Sequence, residues 1–248
     1  MRYSTRYRYT SFDPSGYLPT GVKWLLISNV AVFLLMYLAG RSSFGQVFSL
    51  LALAPVAVVY HLAVWQLATY LFLHAGIWHL LVNMFTLWMF GISLEREWGT
   101  RRFLKYYFLC GVGAGVCDVV VSALVGNWGT RTVGASGAIY GLLLAFGVLY
   151  PNQTIFFNFL FPIKAKYFVM IYGAIELLSA FSANASGVSN IAHLGGMLFG
   201  YAYLKLRLPD LRFPGLRQQF QEWKLQRAKR KFQVYLRKHD SNRDRWVN

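Results

Sequence analysis

RTVGASGAIYG, residues 131–141, joins a polar segment to a strongly apolar run that continues to about residue 151. Gly134, Ser136 and Gly137 therefore stand where hydrocarbon-compatible sequence begins, and a hydroxyl between two residues without bulk needs a reason there. The rest of the chain shares this apolar character. Of its 248 residues, 56% are hydrophobic, 18% aromatic and only 14% charged, a balance that disfavours a water-soluble domain and points to an integral membrane protein.

A bilayer core about 30 Å thick requires about 20 mostly apolar residues of helix. Six segments meet that need: 22–40 (VKWLLISNVAVFLLMYLAG), 77–94, 103–125, 136–151, 165–182 and 187–206. The stretch 41–76, which contains Pro55 and Trp65, is too interrupted to span and reads as an external loop with short helices lying in the interface. The expected fold is an all-α integral membrane bundle of six transmembrane helices. It divides the chain into an N-terminal segment 1–21, a membrane domain 22–206 and a basic tail 207–248.

Charge sets the orientation. Arg2, Arg6 and Arg8 precede the first span and Lys23 opens it; Arg96, Arg101, Arg102 and Lys105 follow the second; Lys164 and Lys166 follow the fourth. The opposite loops carry Arg41 and Arg131. By the positive-inside rule both termini are expected in the cytoplasm, with no removable signal peptide. The formal charge is +16, and 13 of the 25 Lys and Arg residues lie from Lys205 onward. Such a tail suits anionic lipid head groups; no base-reading module accompanies it, so no nucleic-acid partner is expected. Cys110 and Cys117, seven apart in one apolar segment, are packing residues and not a disulfide.

Polar side chains within spans are costly and usually mark function. Here they are His79, Asn83, Asp118, Ser136, Glu176 and His193. Spans two, four and six run in the same direction, and His79, Asn83, Ser136 and His193 all occur early in them. At 1.5 Å per residue all four lie within about 10 Å of the outer surface, at similar depth. A serine hydroxyl needs an adjacent base, which histidine supplies. A tetrahedral intermediate needs donors, which Asn83, His79 and a backbone N–H at the start of a helix can supply. Gly196 and Gly200 form a GxxxG beside His193, and span four opens with Gly134 and Gly137, so these helices can approach closely. Asp118 and Glu176 are candidates to orient His193, but both read as deeper in the bilayer and as polar packing.

Three separated motifs carry a resemblance: HLLVN (His79 to Asn83), GASG (Gly134 to Gly137) and AHLGGMLFG (Ala192 to Gly200). In that order on those spans, the chain resembles the rhomboid intramembrane serine proteases over roughly residues 20–206, in the simpler six-span bacterial type. The resemblance implies cleavage of transmembrane segments of other proteins by a Ser136–His193 dyad without a required acid. It implies an oxyanion hole from His79, Asn83 and the Ser136 N–H, and Tyr140 packed on the catalytic imidazole. The setting it implies is a bacterial plasma membrane. No cofactor and no metal are expected, since HExxH is absent. The family often carries Trp-Arg in its first external loop, whereas this chain has Trp65-Gln66, so no role is carried over to residue 66. A non-catalytic member of the same fold would lack the intact dyad. A transporter would show inverted repeats, and none is convincing here.

Overall fold

The computed structural model describes residues 18–40, 47–157, 161–180 and 190–206, together with Arg227. The chain divides into two compact units, Met1–Arg207 and Leu208–Asn248, and every element named below belongs to the first. The basic tail, apart from Arg227, lies outside the described residues, as does most of the N-terminal segment.

Among the described residues the longer helices are α1 (Thr20–Ala39), α4 (Ile77–Trp98), α5 (Thr100–Leu124), α6 (Ser136–Leu149), α7 (Ala165–Ala180) and α8 (Asn190–Leu206). Two short ones, α2 (Pro55–Tyr60) and α3 (Gln66–Thr69), lie in the first long loop. By length and composition α1, α4 and α5 can cross a membrane; α6, α7 and α8 have 14, 16 and 17 residues among those described. Their outer faces suit lipid. Trp24, Leu35 and Leu38 on α1, Trp78 and Val82 on α4, and Met170, Ile171 and Leu178 on α7 are all exposed. In water such a surface would drive aggregation; against acyl chains it carries no penalty.

α6 is the hub, packed by α4, α5, α7 and α8. Nine of its 14 residues are buried, which is why its sequence is apolar all round and has no polar face. The main core joins Leu80, Leu87 and Leu94 of α4, Phe103, Tyr106 and Tyr107 of α5, and Ala138, Ile139 and Leu142 of α6. Small residues bring α5, α6 and α8 together. A Cβ on Gly196 of α8 would lie 1.9 Å from the Gly137 carbonyl oxygen, so these two backbones are in direct contact. The free thiol of Cys110 fills the same seam, 2.5 Å from where a Gly141 Cβ would be and 3.2 Å from that of Gly200.

Two features depart from the sequence expectations. An antiparallel hairpin, β1 (Thr154–Phe157) and β2 (Phe161–Lys164), occupies the loop after α6 and pairs Ile155 with Ile163. Its β-branched and aromatic residues favour extended pairing over the plain loop expected there. The first long loop also does more than lie in the interface. Leu53, Tyr70 and Leu71 are buried in the bundle core, while Leu62, Val64 and Trp65 stay exposed at its rim. Gln66, to which no role was assigned, clamps the loop: its amide donates to the Leu50 carbonyl at 3.0 Å and accepts from the Ala54 N–H at 3.0 Å.

Candidate active site

The site forms where α4, α6 and α8 begin and α7 ends, four ends that antiparallel connections bring to one side of the bundle. Ser136 is the first residue of α6, so its N–H is among those a helix leaves without an internal partner. Its Oγ lies 2.8 Å from His193 Nε2, and His193 is buried. Tyr140, one turn along α6, stacks on the His193 ring with centroids 4.2 Å apart and planes 11° apart. A hydroxyl and an imidazole so placed can pass a proton between them, and the stacked ring restricts imidazole rotation.

Gly134 has φ +125°, a conformation that L side chains rarely adopt. The space its missing Cβ leaves open is 2.7 Å from His79 Nε2 and 3.7 Å from Ser136 Oγ. Any side chain here would displace His79 from the nucleophile. The Gly134 N–H donates to the Tyr70 carbonyl at 2.9 Å, which ties this turn to the first loop. His79 Nδ1 accepts from the Ala75 N–H at 3.4 Å, leaving Nε2 as the protonated nitrogen on the Gly134 side. Asn83 follows one turn later on α4; it is buried, and its amide Nδ2 has no hydrogen-bond partner among the described residues. An unpaired buried donor is costly unless a ligand or intermediate uses it.

His74 sits edge-on to His79 with ring centroids 5.1 Å apart. Burial, with His79 beside it, pushes its imidazole down to about 4, so it is neutral near pH 7.

The two acids separate. Asp118 accepts from Thr132 Oγ1 at 2.8 Å, and Thr132 pairs with Leu53, so this carboxyl secures the loop ahead of Gly134. It is polar packing, as expected. Glu176 corrects the expected depth. It lies only four residues before Ala180, where described α7 ends, so it is about 6 Å along the axis from the site end of the bundle. Its Oε2 is 3.0 Å from His193 Nδ1, and its Oε1 accepts a short hydrogen bond from the Tyr140 hydroxyl. Counting from the end of α7 nearest the site, with α7 antiparallel to α8, would have found it.

Comparison with known proteins matches the sequence of this chain to a family. A model of the Rhomboid domain matches residues 61–210. The chain belongs to the rhomboid family. Rhomboid relatives include RHOMBOID-like protein 1 of Arabidopsis thaliana, 38% identical over 60% of this chain and 36% of that one. Rhomboid protease GluP of Bacillus subtilis is 30% identical over 77% of this chain and 36% of its own. Rhomboid-like protease 3 of Toxoplasma gondii is 26% identical over 77% of this chain and 71% of its own. The matched regions thus span a little over a third of the first two relatives. All the motif residues from His79 to Gly200 fall within the matched rhomboid domain. The rhomboid fold, with its apolar helices, makes this an integral membrane protein.

Proposed function

We propose that this chain is an intramembrane serine endopeptidase that cleaves transmembrane segments of other proteins. The observation that carries the reading is Ser136 Oγ at 2.8 Å from His193 Nε2, at the end of a bundle with the rhomboid domain. Two similar proteins bear protease names, which supports it. His193 takes the Ser136 proton as Oγ attacks the scissile carbonyl, forming the C–O bond and an oxyanion. The Ser136 N–H, the His79 Nε2–H and the Asn83 amide, which has no partner among the described residues, stabilise that oxyanion. The intermediate collapses, the C–N bond breaks, and His193 returns the proton to the leaving amine. Water then attacks the acyl-enzyme with His193 again as base, releasing the acid and restoring Ser136.

The alternating charges support six spans with both termini cytoplasmic, which sets the catalytic end toward the outer surface, where water reaches it. The six-span pattern supports the simpler bacterial type and a bacterial plasma membrane, although the similar proteins are mostly from eukaryotes. Substrate helices reach the site laterally past α7 and must first unwind. Residues that weaken a helix, and small side chains at the cleaved position, favour cleavage. The basic tail rests on anionic lipid.

Purified protein in detergent, incubated with a transmembrane reporter, is expected to cleave it and to be labelled by a fluorophosphonate. Ser136→Ala abolishes both and His193→Ala abolishes cleavage, with the melting temperature of each close to wild type. Cleavage that persists in purified Ser136→Ala removes the assignment.

A further inference from the structure

We infer that Glu176 is a positioning residue that holds His193 with its proton on Nδ1, extending the dyad to a Ser136–His193–Glu176 triad. The inference rests on the protease reading above and deepens it. A buried carboxyl on a helix whose neighbours Ile175 and Leu177 face outward is expensive unless it is partnered. Its partners here are specific. Oε2 is 3.0 Å from His193 Nδ1, on the ring edge opposite the Nε2 that meets Ser136. Oε1 is held by the hydroxyl of Tyr140, whose ring stacks on the same imidazole. Tyr140 therefore fixes both members of the contact, the imidazole by its face and the carboxyl by its hydroxyl.

With the proton on Nδ1, the Nε2 lone pair faces Ser136 Oγ, the arrangement a general base requires. When Nε2 takes the serine proton, the ring becomes an imidazolium and the carboxylate stabilises it without accepting a proton itself. The Oε2–Nδ1 line lies outside hydrogen-bond alignment. Resting catalytic contacts are often misaligned in this way and tighten when substrate closes the site. Asp118 cannot substitute, because its carboxyl is engaged with Thr132.

The tyrosine contact makes the test discriminating. In Glu176→Gln the Tyr140 hydroxyl still prefers the amide oxygen, which turns the amide NH2 toward His193 Nδ1. That nitrogen must then accept, so the ring proton moves to Nε2 and points at the nucleophile. Glu176→Gln should lower kcat roughly 10³-fold with KM within about two-fold. Glu176→Leu imposes no wrong tautomer and should cost only about 10- to 100-fold. Tyr140→Phe alone should lower kcat about 3- to 10-fold. Added to Glu176→Gln it frees the amide to flip, and should raise kcat above that of the single Gln variant. No purely structural role predicts a rescue by a second substitution.

The experiment measures reporter cleavage by these variants in detergent. In parallel, 15N-histidine spectra read the His193 tautomer in wild type and Glu176→Gln, whatever the catalytic rate. The expected result is Nδ1–H in the wild type and Nε2–H in the Gln variant. A folded Gln variant with wild-type kcat and an unchanged tautomer overturns the proposal. If Glu176→Gln does not fold, a folded Glu176→Leu variant with wild-type kcat overturns it instead. Should wild type show no Ser136-dependent cleavage or labelling, the protease reading fails, and the tautomer still decides what Glu176 does.

Discussion

Gly196 is where one atom decides whether the site exists. A methyl group there would lie 1.9 Å from the Gly137 carbonyl oxygen, against backbone that has no flexible end to yield. Gly196→Ala must push α8 away from α6, and with it His193 from Ser136. We expect a loss of about 3 kcal/mol or more, since overpacking commonly costs 1–3 and here the obstacle is main chain. Fluorophosphonate labelling of Ser136 should fall with it. Gly129→Ala, in an exposed loop with open space around it, should change the melting temperature little. A melting curve and a labelling rate in detergent for both variants check the contrast.

Helix α1 is held at one end. Its buried residues are Gly21, Val22, Leu25 and Asn29, all in its first half, while its second half is largely exposed. Glu95, near the end of α4, caps it from another helix: its carboxyl oxygens accept from the N–H groups of Gly21 and Val22, both at 2.7 Å, and from Thr100 Oγ1 at 2.5 Å. A carboxyl at a helix N-terminus satisfies orphan donors and complements the helix dipole. Glu95→Ala leaves two buried N–H groups unpaired and should cost about 2–3 kcal/mol. Because Glu95 does not touch the site, labelling of the folded fraction should stay near wild type. A drop in labelling per folded molecule would show that α1 docking and the site are coupled.

At the scale of the molecule, His74 makes stability depend on pH. It is buried, neither ring nitrogen has a hydrogen-bond partner among the described residues, and its pKa is lowered to about 4. The unfolded chain binds a proton near 6.5, so between about 6.5 and 4 the unfolded state holds more protons than the folded one. The stability this group contributes is fully present above about pH 6.5 and is lost as pH falls toward 4, a loss of the order of 3 kcal/mol. His74→Phe keeps the ring and removes the titration. Melting temperatures of Ser136→Ala protein, with and without His74→Phe, should diverge between pH 7.5 and pH 4.5, the phenylalanine variant falling less. Parallel decline of the two would assign the acid sensitivity to other groups.

Helix positions were legible because a bilayer demands long apolar segments: the predicted starts at 77, 136 and 165 coincide with those of α4, α6 and α7. The same length rule put His79, Asn83, Ser136 and His193 at one end, since rise per residue converts sequence position into depth. Depth is one coordinate of three. Which acid meets His193, that Glu95 caps a helix 73 and 74 residues away, and that Gln66 clamps a loop all depend on lateral distance and on rotation about each helix axis. Those are set by packing, here by the glycine contacts between α6 and α8 and by Tyr140, which stacks on His193 and donates to Glu176. The sequence alone brought His79, Asn83, Ser136 and His193 to one end of the bundle; the tertiary structure decided that Glu176 joins them and which of them touch, because only close packing converts a shared end into a distance of 3 Å.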